Sequence, residues 1–163
     1  MFKKNDMNLV YKVDKEISIN DILVKKYKIS ARLKNKLINN KLVLLNGIFV
    51  DTRTITNKGD IVTIILDSNE DNSNIVATKM NLYIIYEDEH ILILNKQAGI
   101  PVHPSILHFK DSLSNGVKWY FDSIGLYKKI RAVNRIDLNT SGLVVFAKNE
   151  YIQECLIKQM QSR

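Results

Sequence analysis

The chain has 163 residues, enough for one ordinary domain or for a small one joined to part of a larger one. Its composition, 45% hydrophobic and 25% charged with a net charge of +7, is that of a globular protein, and no apolar run approaches the roughly 20 residues of a membrane helix. The basic start Met1-Phe2-Lys3-Lys4-Asn5-Asp6 lacks a following apolar segment, and the single Cys155 excludes an internal disulfide, so a reducing cytoplasm is expected rather than secretion.

The charge is uneven. Residues 17–66 hold nine Lys or Arg against three acids, so nearly all of the net +7 lies there. That is the footprint of a module that binds a polyanion, although a lysine-rich solvated surface gives the same balance.

In chain order, residues 1–16 form a leading arm with an edge strand over 9–13. Ser18 is placed to cap a helix reaching Tyr27 and burying Ile22, Leu23 and Tyr27. Ser30 caps a second helix to about Asn40, with Leu33, Leu37 and Ile38 on its apolar stripe. Arg32 and Lys36, four apart, share a face of that helix, and Lys28 lies just ahead of it. Residues 42–50 carry Asn46-Gly47 between apolar runs, a hairpin signal. Lys58-Gly59-Asp60 is a turn and 61–66 a closing strand.

Residues 68–79, polar and poor in apolar side chains, read as a linker. A second unit then opens with strands over 82–86 and 91–95 around the turn Glu87-Asp88-Glu89-His90, followed by a loop through 96–105. A helix is expected over 113–124. The apolar segments 130–133 and 143–147 flank a polar loop that holds Asp137, with Arg135 two residues ahead and Thr140-Ser141-Gly142 behind. From the cap Asn149 a last helix carries Ile152, Leu156 and Met160, and it makes Cys155 a half-buried helix residue rather than a nucleophile. The strands are too few to enclose a core before Arg163, so the second unit is expected to be cut short. The spacing of His, Cys, Asp and Glu predicts no metal site. The fold class is thus α+β: a small helix–helix–hairpin unit over 17–67, then over 80–163 the first part of a mixed, mainly antiparallel β-sheet domain.

A loop carboxylate between two strands can be aimed at a substrate, and it can equally be a turn cap or one half of a surface ion pair. Two resemblances weigh on that choice. Ser30-Ala31-Arg32-Leu33-Lys34-Asn35-Lys36-Leu37-Ile38, Val43-Leu44-Leu45-Asn46-Gly47 and Lys58-Gly59-Asp60-Ile61-Val62 resemble the α-L RNA-binding motif over residues 17–67. By that resemblance the partner is RNA, and Lys28, Arg32, Lys34, Lys36 and Lys41 are its contacts, about half of them touching it directly. Residues 133–148, from Val133-Asn134-Arg135-Ile136-Asp137 through Thr140-Ser141-Gly142-Leu143 to Ala147-Lys148, resemble the signature of the RluA family of pseudouridine synthases. The upstream block Tyr86-Glu87-Asp88-Glu89-His90 through Lys96, Gly99, Val102, His103 and Pro104 is similar to that family's opening motif, and the Thr-Ser-Gly-Leu and Ala-Lys endings favour it over the related RsuA branch.

The resemblance implies an isomerase that detaches a uridine's base, turns it and rejoins it through carbon 5, with no cofactor or metal. The expected substrate is large-subunit ribosomal RNA and the expected state a monomer. It makes Asp137 the catalytic aspartate, either attacking carbon 6 of uracil or removing a ribose proton from a flipped-out nucleotide. Arg135 would pair with Asp137 or hold the flipped-out conformation, Asn134 would support the site, and Thr140 would shape the turn. Lys96 and His103 read as structural or RNA-adjacent. Gln97 and Asn134 depart from the family's common proline and histidine, and the family's base-stacking tyrosine has no counterpart up to Arg163. The rival readings are a non-catalytic RNA-binding protein and, more weakly, an unrelated hydrolase using Asp137, which no partnering His or Ser supports.

Overall fold

A computed structural model of the protein describes residues 7–66, 70–71 and 73–162; the start of the expected arm and part of the expected linker lie outside them. The chain forms two compact units, dividing between Ser68 and Asn69. Both mix helices with antiparallel sheet, as the α+β expectation has it.

In the first unit, β1 (Asn8–Lys12), β6 (Ile61–Ile65), β3 (Val43–Leu45) and β4 (Ile48–Phe49) build a four-stranded sheet in that order. A second, two-stranded pairing joins β2 (Ile17–Ser18) to β5 (Ile55–Thr56). β1 is therefore an integral edge of the sheet, paired along its length to β6. The Ser18 hydroxyl accepts the Asp21 N–H at 3.1 Å and so starts α1 (Ile19–Asp21). The chain then widens into π-helical turns over Ile22–Lys26, closed by the Tyr27 N–H on the Ile22 carbonyl. This buries Ile19, Ile22 and Leu23 completely but leaves Tyr27 only half-buried, against expectation. Ser30 caps α2 (Ala31–Asn39) in the same way, and Leu33 and Leu37 carry its buried face while Ile38 sits at its margin.

The β3–β4 turn has Asn46 and Gly47 both at positive φ, 50° and 85°. The paired left-handed residues match the strand twist, which Gly47 allows without a Cβ penalty. The Asn46 carboxamide also crosses to the neighbouring turn, donating to Asp60 Oδ1 and accepting the Ile61 N–H, both at 2.9 Å. Hydrogen bonds from the Asn57 N–H first, then from the Asn46 carboxamide, hold the Asp60 carboxyl below the usual range.

In the second unit, β7 (Ile84–Glu87), β8 (Ile91–Lys96) and β9 (Gly142–Ala147) form an antiparallel sheet with β8 central. β8 alternates: Leu92, Leu94 and Lys96 face the core while Ile91, Ile93 and Asn95 are half-buried. α3 (Leu113–Ser123) covers the core face with Leu113, Val117 and Phe121, packed with Leu92, Leu94, Val144 and Phe146. Its start is closed by a capping box between Ser112 and Asn115. α4 (Glu150–Gln161), capped by Asn149, has no fully buried residue; its stripe of Ile152, Leu156 and Met160 is half-buried to exposed. Cys155 is half-buried, as expected.

Two segments differ from their sequence reading. Residues 130–133 do not make a strand: only Ala132 bridges, to Phe146, with Val133 N–H on the Val145 carbonyl at 2.7 Å. The chain leaves the sheet there because the loop must rise toward Asp137. Within the stretch read as a linker, 68–79, Glu70 and Val76 are fixed to the rest of the second unit. Glu70 grips Arg131 through two hydrogen bonds of 2.5 and 2.6 Å, and Asn115 donates to the Val76 carbonyl at 2.8 Å. The Met80 side chain packs against Gly116, and a Cβ there would force it to shift.

Candidate active site

β8 and β9 deliver the two sides of one loop cluster. Their ladder ends at the pair Lys96 and Gly142, beyond which the chain continues as the 97–105 loop on one side and arrives from the 134–141 loop on the other. Asp137 sits in that second loop, exposed, at the start of a turn in which the Thr140 N–H reaches the Asp137 carbonyl at 3.1 Å.

The loop is held from below by its backbone. The Leu138 carbonyl, directly after Asp137, accepts from the Gly99 N–H at 2.8 Å and from the Lys96 ammonium at 3.0 Å. Lys96 is fully buried and donates in addition to the Gln97 carbonyl at 3.0 Å and the Ile100 carbonyl at 2.7 Å. Three donors thus meet three acceptors, which is the complete capacity of an ammonium. Burial pushes the Lys96 ammonium below the ordinary lysine range, and the negative charge of Asp137 works the other way. Gly99 stands at φ 85°, a left-handed conformation that lets its N–H point at Leu138.

Asn134 secures the other end. Its Oδ1 accepts the Val145 N–H and its Nδ2 donates to the Leu143 carbonyl, each at 2.9 Å. Arg135 is exposed, and among the described residues no ion pair joins it to Asp137. It does act on His103: burial first, then the Arg135 charge, holds that imidazole below its usual range and so neutral near pH 7. Thr140 is exposed and contributes through its backbone. Among the described residues, no three His, Cys, Asp or Glu side chains gather to hold a metal ion, and no helix is long and apolar enough to cross a membrane.

An apolar groove of about 310 Å³, lined by Leu143, Val145, Leu156 and Met160 among others, lies between β9 and α4. Asn134 borders it and Asp137 does not.

The five cations of the first unit are unequal. Lys28 and Lys41 are exposed and both adopt left-handed backbone, φ 53° and 56°, at the two ends of α2 and its approach. Arg32 is exposed and Lys36 half-buried on α2. Lys34 is bound at 2.8 Å to Asn20 Oδ1, which reduces its reach.

The residue that sequence reasoning undervalued is Lys96. Its signal was the alternation of β8: counting by two from Leu92 and Leu94 sets position 96 on the core face, where a lysine requires partners.

The family model described as RNA pseudouridylate synthase matches residues 90–163, which contain both loops. An uncharacterized RNA pseudouridine synthase of Bacillus subtilis, YhcT, is 33% identical over 126 residues, 77% of this chain and 41% of that protein. A second from the same organism, YjbO, is 30% identical over 112 residues, covering 69% of this chain and 40% of its own length. The ribosomal large subunit pseudouridine synthase D of Neisseria meningitidis serogroup B is 33% identical over 105 residues, 64% of this chain and 28% of that protein. The chain spans about two fifths or less of the length of these relatives.

Proposed function

Since residues 90–163 make this chain a member of the RNA pseudouridylate synthase family, we propose that it isomerises uridine to pseudouridine in RNA, with the Asp137 carboxylate as the catalytic group. The observation that carries this reading is an exposed carboxylate on a loop whose backbone is tied down on both sides, at Leu138 and at Asn134. Such a group is accessible to a nucleotide and keeps its direction.

The chemistry is balanced within the substrate. The bond between ribose carbon 1′ and uracil nitrogen 1 breaks, the base turns, and carbon 5 bonds to carbon 1′. Carbon 5 gives up its proton and nitrogen 1 gains one, so no redox partner or cofactor enters. Asp137 attacks carbon 6 of the base or removes a ribose proton; both routes need its ionised form beside a base taken out of the stack. Arg135, exposed on the same loop, is assigned to holding the flipped-out nucleotide.

Large-subunit ribosomal RNA is the proposed substrate, on the strength of the relatives named for it. The first unit is proposed as an α-L RNA-binding module, for which the Ser30-capped helix, the Asn46-Gly47 hairpin and the local excess of cations speak. The protein is assigned to the cytoplasm as a monomer. The second reading, RNA binding without catalysis, is favoured by that basic unit alone.

The two readings separate on Asp137→Ala. Isomerisation of ribosomal RNA by the full-length protein should be abolished while RNA affinity stays within a few fold. Retained isomerisation would remove Asp137 from the chemistry. An unmodified wild-type reaction with intact binding would favour the second reading.

A further inference from the structure

Ile106 and Leu107 are the most exposed large apolar side chains among the described residues, at 99% and 88%, and Phe109 beside them is 54% exposed. Single apolar residues on a surface are ordinary, but a run of them at the tip of a loop gains nothing for the fold. The tip is nevertheless built. The Ser105 N–H meets the His108 carbonyl and the His108 N–H meets the Ser105 carbonyl, both at 3.2 Å, so residues 105–108 make a closed two-residue turn. The His108 ring hydrogen-bonds to Asp111 at 2.9 Å, and Asn115 donates to the Phe109 carbonyl at 3.1 Å. Below the turn, the Leu113 and Ser114 N–H groups bind the Pro101 and Val102 carbonyls at 2.8 and 3.0 Å. These bonds fix both legs of the loop to the start of α3 while the apolar tip stands in solvent.

The turn also belongs to the loop cluster of Asp137. It continues the 97–105 loop, whose Gly99 N–H holds the Leu138 carbonyl at 2.8 Å. His103 lies close enough to Arg135 for that charge to act on its imidazole. The step from His103 to Ser105 spans at most about 7 Å, so the base of the turn stands beside the Arg135 loop. A uridine meets Asp137 only after leaving its stack. Aliphatic side chains pushed between base steps hold such a stack open. A tip two residues wide fits that gap and is too small for a stable protein interface. Lys110, exposed on the same loop, adds a cation for a neighbouring phosphate. We propose that the 105–108 turn is an RNA wedge: Ile106 and Leu107 enter the stack beside the target uridine and keep it open while the uridine is turned out. The inference rests on the proposed isomerisation of uridine in RNA.

Its test uses the full-length protein and transcribed large-subunit ribosomal RNA carrying 5-tritiated uridine, which releases tritium when carbon 5 gives up its hydrogen. The modified uridine is located in the wild-type product. A short RNA around it is then made with and without an abasic nucleotide in place of one neighbouring base. Ile106→Ser with Leu107→Ser should lower kcat on the intact RNA by about 10- to 100-fold, with KM changed less than about threefold. On the abasic RNA, where the stack is already open, the deficit should shrink to about threefold or less. Ile106→Leu with Leu107→Met, which stays apolar, should keep kcat within about threefold of wild type. The urea midpoint of the serine variant should be unchanged, because both side chains are exposed. Wild-type kcat in the serine variant, a loss on KM alone, or an equal deficit on both RNAs would overturn the wedge. A serine variant that fails to fold would assign the tip to the fold and overturn it as well. Wild-type protein that binds the RNA but releases no tritium would instead refute the isomerase reading, and the wedge with it.

Discussion

Asn134 completes the edge of β9 in place of a neighbouring strand: its carboxamide meets the Val145 N–H and the Leu143 carbonyl, each at 2.9 Å. A side chain thus takes over where the backbone has turned away toward Asp137. Asn134→Ala should leave both groups to water or to nothing, at a cost of about 1–3 kcal/mol. Urea unfolding should show a lower midpoint at an unchanged slope. An unaltered midpoint would mean that the two bonds hold nothing.

Lys148 and Glu87 form a buried pair at 2.8 Å, and the other oxygen of Glu87 takes the Tyr120 hydroxyl at 2.6 Å. Breaking such a pair from one side leaves an uncompensated charge, so Lys148→Met should destabilise by about 3–5 kcal/mol. The double variant Lys148→Met with Glu87→Gln should recover part of that loss. Strict additivity of the two changes in a denaturation series would count against a coupled pair.

The same cluster sets a pH dependence. Burial first, then the hydrogen bond to Glu87, raises the Tyr120 phenol from 10.0 to about 12. Its contribution to stability is therefore whole below pH 10 and fades as pH rises through about 12. Ultraviolet titration should find the last-ionising tyrosine lost in Tyr120→Phe and shifted earlier in Glu87→Gln. His103 runs in the opposite sense. With its folded value below 6.5, the unfolded chain takes the proton first, and the contribution of His103 is lost as pH falls from 6.5 through the folded value. Arg135→Ala should raise the His103 value in an NMR titration, partially, since burial remains.

Replacing Arg32 and Lys41 by Gln should reduce the salt dependence of RNA binding by about one unit of logarithmic slope for each lost phosphate contact. Lys34→Gln, whose ammonium is engaged by Asn20, should change it less. A slope unchanged in all three would exclude this face from the RNA.

Elements with local punctuation were legible in the sequence. Ser18, Ser30 and Asn149 all cap where their residue type says they should, and Asn46-Gly47 turns the hairpin. What was not legible depends on distant partners. The segment 130–133 has the apolar content of a strand but only one bridge, because Asn134 and the rising loop displace its ladder. Residues 68–79 look like a linker because their composition is polar, yet Glu70 and Val76 are fixed by Arg131 and Asn115, dozens of residues away. In the site, Asp137 stood out by motif. Lys96 was read as structural or RNA-adjacent, and its burial follows only when the alternation of β8 is counted through it.

The Leu138 residue is held only through its backbone oxygen, which accepts from the Lys96 ammonium and the Gly99 N–H, while the side chains of Leu138, Asn139 and Thr140 are exposed. Geometry and surface are thereby separable on this loop. Substitutions at those three positions can change the exposed face of the loop while the hydrogen bonds to the Leu138 oxygen stay in place.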